Sequence, residues 1–113
     1  MIDVPVERFE AMVGEALDGL PPAPGKLMRN VAVTVDADGG DGTLYGLYEG
    51  VPLTSRTHEY GMVLPDRITI FRKTILATCD TEAEVIDQVR RTVVHEVGHH
   101  FGIDDDRLHE LGW

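Results

Sequence analysis

The stretch HEVGHHFGIDD, from His95 to Asp105, gathers the residue types of a metal hydrolase at spacings that have physical meaning. Two imidazoles four residues apart on a helix lie one turn from each other, so His95 and His99 can converge on one ion, and zinc favours such nitrogens. Glu96 follows the first ligand directly, where its carboxylate reaches a water held by the metal rather than the metal itself, the position of a general base. A catalytic zinc site takes three protein ligands and keeps a fourth position for water, so one ligand must come from beyond the helix. Gly102, three residues after His99, can turn the chain out of the helix with positive φ and send it back beneath the metal. The residue at the returning position is Asp105. Asp104, Asp106, His109 and Glu110 compete for that role. Offset favours Asp105, and Glu110 on a short final helix is the runner-up.

For the pair to act, a helix must hold it. Thr81 and Glu84 form a capping box ahead of an apolar-periodic run, which predicts a helix beginning at about Glu82. Val85, Ile86, Val89, Val93 and Val97 would face the core, leaving His95 and His99 with Gln88 and Thr92 on another side. His100, one residue out of register, reads as a packing residue or one that supports a ligand rather than as a ligand itself. Upstream, VPVERFEAMVGEALDGL places Val6, Phe9, Met12, Val13, Ala16, Leu17 and Leu20 at helical spacing, and Pro5 is tolerable in the first turn. The proline-rich LPPAPGK reads as a short rigid connector.

Between the helices, NVAVTVD alternates Val31, Val33 and Val35 as a half-buried strand. DADGGDGT forces a turn, and Asp36, Asp38 and Asp41 do not fit an EF-hand, so a plain acidic turn is expected rather than a calcium loop. TLYGLYEG reads as a second short strand whose glycines suggest a bulge or close backbone approach. VPLTSRTHEYGMVLP reads as a long irregular loop in which Arg56, His58 and Tyr60 are candidates for stabilising a developing oxyanion. DRITIFRKTIL is the clearest strand, with Ile68 and Ile70 on one face. It could be an edge strand that pairs with an extended peptide, or a central or protected one.

Length and composition bound the rest. A chain of 113 residues with 42% apolar and 27% charged side chains is expected to form one folded domain over 1–113. Twenty acidic against ten basic groups give a formal charge of −10, which repels nucleic acid and anionic lipid. Cys79 is the sole cysteine, so no disulfide within the chain and no thiolate cluster can form; it reads as a small buried hydrophobe. The segment MIDVPVERFE has no apolar run of signal-peptide length, and no window approaches a membrane span. A cytoplasmic monomer with neither nucleic-acid nor membrane partner is the expectation.

The string HExxHxxGxxD resembles the extended zinc signature of the metzincins, with Asp105 where that pattern has a third histidine. The segments GLYEGVPLTSR, LPDRITIFRKTI and TVVHEVGHHFGIDD also resemble a small bacterial family of minimal zincin-like metallopeptidases. The resemblance implies an α/β (α+β) zincin-like domain, a short mixed sheet packed against an N-terminal helix and the HExxH helix. It further implies Zn²⁺ held by His95, His99 and Asp105, Glu96 as the base, and a peptide or protein substrate. Two features depart from the metzincin pattern. No methionine follows Met62, so the methionine-containing turn is expected to be missing, and the carboxylate ligand weakens acidification of bound water. A two-histidine, one-carboxylate set also occurs at non-haem iron, although Glu96 favours water activation. The competing reading is a non-enzymatic metal-binding or interaction module that keeps the zincin site.

Overall fold

The computed structural model describes residues 1–28, 31–38, 42–50 and 66–112. Among these, the chain runs α1 (Val6–Asp18), α2 (Pro22–Leu27), β1 (Val31–Asp36), β2 (Gly46–Glu49), β3 (Asp66–Phe71), α3 (Arg72–Thr78), α4 (Glu82–His100) and α5 (Asp105–Glu110). The strands form one mixed sheet in the order β1-β3-β2, with β1 parallel and β2 antiparallel to β3. This is the α+β arrangement that the sequence implied, a short mixed sheet against an N-terminal helix and the helix of the histidines. No helix among the described residues is long and apolar enough to cross a membrane.

The amphipathic reading of α1 holds, since Phe9, Met12, Val13 and Ala16 are buried at helical spacing. That stripe meets Val85, Val89, Val93 and Val97 of α4 and Ile68 and Ile70 of β3 in one core. At the helix ends Arg8 pairs with Glu82 at 2.7 Å, a contact that water screens.

Two expectations need correction. The short rigid connector read from LPPAPGK is not without helical structure, because its prolines fall where a helix tolerates them. Pro21 precedes the first turn, and Pro22 and Pro24 lie within it, where an amide N–H has no partner inside the helix anyway. DRITIFRKTIL is not one long strand either. β1 and β3 run in register only as far as Asp36 and Phe71. Beyond that point, among the described residues, the backbone has no neighbouring strand, and its polar groups pair internally as α3, which buries Thr74, Ile75 and Leu76. Of the edge and central readings left open for this strand, the structure selects the central one, since β3 is hydrogen-bonded on both sides.

The close approach read from the glycines of TLYGLYEG is found at Gly46. A Cβ there would stand 2.8 Å from Thr92 Cγ2 and 3.0 Å from the Thr69 carbonyl oxygen, so only glycine lets β2 lie this near α4. In the acidic turn the Asp38 amide donates to Asp36 Oδ1 at 3.3 Å, a local turn contact. Asp41 lies outside the described residues, as do residues 51–65 with Arg56, His58 and Tyr60.

Candidate metal centre

The helix that carries the histidines starts as the sequence indicates. Thr81 Oγ1 accepts from the Glu84 amide at 3.1 Å and donates to Glu84 Oε1 at 3.2 Å, so the cap satisfies an amide that the first turn leaves orphaned. Its other end is a Schellman turn. The Gly102 amide donates to the His99 carbonyl at 3.0 Å and the Ile103 amide to the Gly98 carbonyl at 2.8 Å, with Gly102 at φ +80°. A side chain with a Cβ is strained at that φ, which is why glycine ends the helix here.

Past the turn, Asp104 caps α5, its Oδ1 accepting from the Arg107 amide at 2.8 Å. Asp105 is then the first residue of α5 and returns toward the histidines. A second packing face of α4, absent from the sequence reading, sets how close it comes. Val94 and Leu108 are each 1% exposed. A Cβ on Gly98 would stand 2.6 Å from Leu108 Cδ2, so the missing side chain is what lets Leu108 seat α5 against α4. A signal for this was present, since Leu108 is the single apolar residue between Asp104 and Glu110 and Gly98 directly precedes the adjacent histidines of HEVGHH.

His95, His99 and Asp105 each offer one ligand atom, all within 4.8 Å of one another. One carboxylate oxygen, Asp105 Oδ1, lies 2.8 Å from His99 Nε2 and 3.3 Å from His95 Nδ1. Donors held tetrahedrally by zinc at about 2.0–2.1 Å stand roughly 3.3–3.4 Å apart; the His95–Asp105 spacing matches this, and the His99–Asp105 pair sits closer, at hydrogen-bond distance. The donor chemistry agrees, being two imidazoles and one carboxylate without thiolate. Cys79 is buried, burial pushes its thiol pKa up, and it is not among the grouped ligand atoms.

Two of the competing residues are engaged elsewhere. Asp104 serves as the cap, and Glu110 pairs with Arg107 at 3.0 Å. His100 stacks on Tyr48 with ring centroids 3.9 Å apart, and Tyr48 donates to the buried carboxylate of Asp66 at 2.6 Å. This agrees with the packing role read from its register. Glu96 is half-buried and, with His95, lines a groove of about 390 Å³ between α4 and residues 43–46.

Residues 28–113 match the family described as zincin-like metallopeptidase, a span that holds β1 to α5 and so every candidate ligand. None of the curated proteins matches the chain. Among solved structures, a conserved hypothetical protein from Thermo thermophilus is similar over 86% of this chain and 94% of that one, with 21% identity and a TM-score of 0.53. That likeness bears on the fold.

Proposed function

The chain belongs to the zincin-like metallopeptidase family, and from that premise we propose that it is a zinc-dependent metallopeptidase hydrolysing peptide bonds, its whole length forming one catalytic domain. His95, His99 and Asp105 would hold the metal, and Glu96 is the general base. The observation that carries this reading is the convergence of the three ligand atoms within 4.8 Å, reached by a helical pair and a residue six positions further on. When bound, zinc supplies Lewis acidity for a carbonyl and lowers the pKa of an attacking water. Glu96, one residue from His95 and on the groove wall, takes the proton from that water as it adds to the peptide carbonyl. It then returns the proton to the leaving amine, so the carboxylate ends the cycle as it began. A peptide or protein fits as substrate, whereas nucleic acid is disfavoured by the formal charge of −10.

The second reading is a non-enzymatic metal-binding module, favoured by the exposure of the site. The His95, His99 and Asp105 side chains are 49%, 47% and 70% exposed among the described residues. Against it stands Glu96, since a structural site has no use for a base and closes with four protein ligands.

Elemental analysis of protein purified without chelator or a histidine tag tests the ligand set. One zinc per chain, lost in Asp105→Ala and kept in Glu110→Ala, is the expected result. Folded wild type that takes up no stoichiometric zinc when it is supplied would rule the reading out.

A further inference from the structure

The groove beside Glu96 runs along α4 from His95 toward the start of the helix, and its far end carries Arg91. Gln88, Arg91, Thr92, His95 and Glu96 line its helical wall. Arg91 lies four residues before His95, about 6 Å along the axis at 1.5 Å per residue. An extended peptide rises about 3.3 Å per residue, so that distance corresponds to roughly two residues of substrate.

The hydrogen bonds along this wall are unevenly spent. Thr92 Oγ1 donates to the Gln88 carbonyl at 2.8 Å and accepts from the Gln88 side-chain amide at 3.1 Å, so both side chains satisfy each other. Arg91 differs. Its Nε lies 2.9 Å from Asp87 Oδ2 and one terminal nitrogen lies 3.4 Å from Gln88 Oε1, which leaves terminal N–H groups of the five-donor guanidinium in reserve among the described residues. Asp87 does not neutralise it alone, because the same carboxylate also pairs with Arg90 at 2.7 Å. Two guanidinium groups sharing one carboxylate carry a net positive charge, and Arg90 does not line the groove. Asp87 therefore orients Arg91 through Nε without cancelling its charge. On a chain of formal charge −10, such a site is a local exception to a field that repels anions.

Resting on the peptidase reading, we infer that this end of the groove is a subsite for a substrate carboxylate, with Arg91 as the specificity-determining residue. The guanidinium fork matches a carboxylate in shape as well as charge. The carboxylate is a Glu or Asp side chain about two residues from the scissile bond, or the C-terminus of a short peptide cut near its end.

The test separates this from the peptidase reading by measuring binding rather than turnover. Dye-labelled hexapeptide pools, each with Glu or Gln at one position and a free or amidated C-terminus, are titrated against zinc-supplied Glu96→Gln protein by fluorescence polarisation. The expected result is binding about tenfold tighter for one carboxylate-bearing set than for its uncharged counterpart. The preference is lost when Arg91→Gln is added and kept with Arg90→Gln. A gain that survives amidation assigns the carboxylate to a side chain, and one abolished by amidation assigns it to the C-terminus. Equal affinity of charged and uncharged pools, weak or strong, overturns the inference, as does a preference that persists in Arg91→Gln. Unchanged peptide turnover by Glu96→Gln would instead remove the role given to Glu96 and leave the binding comparison readable.

Discussion

On α4, Val85, Val89, Val93 and Val97 are at most 1% exposed, while the His95 and His99 side chains of the same helix remain 49% and 47% exposed. One face holds the helix in place and the other carries the candidate ligands. Valine is a weak helix former, at a cost below about 0.7 kcal/mol each. Burying one returns about 1.5 kcal/mol or more, so the stripe stabilises a helix that its propensities disfavour. The histidines contribute nothing to that stripe. Their positions follow from the backbone the valines anchor, which lets the chemistry be altered with little effect on the fold and the fold be weakened with little effect on the site.

The separation can be broken or sharpened. Glu96→Gln should show the largest effect, a loss of about 10²–10⁴ in peptide turnover, with one zinc per chain and the thermal midpoint unchanged; parallel losses of zinc and turnover would contradict the base role. Phe9→Ala, on the core side, should cost about 3–5 kcal/mol of stability, read by urea unfolding, while zinc content per folded chain stays the same. Gly98→Ala should cross the boundary. Alanine favours the helix by about 0.8–1.0 kcal/mol, but its Cβ meets Leu108 at 2.6 Å and displaces α5 with Asp105. Zinc affinity measured by competition should fall about 10–100-fold, and an unchanged affinity would show that α5 does not set the ligand geometry.

Two smaller effects concern the start of α4. Thr81→Ala should remove about 1 kcal/mol of cap stabilisation and leave zinc binding alone. Asp87 gives the smallest. Its hydrogen bond from Arg90, with the neighbouring Arg91 charge, holds its carboxyl below the ordinary 3.8. A depressed carboxylate contributes stability above its unfolded value and loses it as pH falls, so the contribution should fade below about pH 3.8. Water screening keeps it small, and Asp87→Asn should flatten only the acid limb of stability against pH.

Elements whose signal is local were legible before the fold was known. The capping box at Thr81 and Glu84, the periodicity of α1 and α4 and the turn at Gly102 rest on contacts within a few residues, and each was read correctly. The end of β3 was not, because it depends on where β1 stops, and β1 lies about thirty residues away in the chain. The central place of β3 depended likewise on which strands flank it. At the site, the spacing of His95, Glu96 and His99 was readable because a helix converts sequence separation into distance by a fixed rule.

The helical pair, the glutamate between its members and the glycine that releases the chain were readable from residue order alone, since all are consequences of helix geometry and backbone freedom. Offset already favoured Asp105 over Glu110, and tertiary packing set how close it comes to the histidines, because that distance turns on the seating of Leu108 against Gly98. It also decided that Arg91 lines the same groove as Glu96, because a groove has two walls and the second comes from residues 43–46, far from α4 in the chain. Packing between distant segments sets both, and no local pattern encodes it.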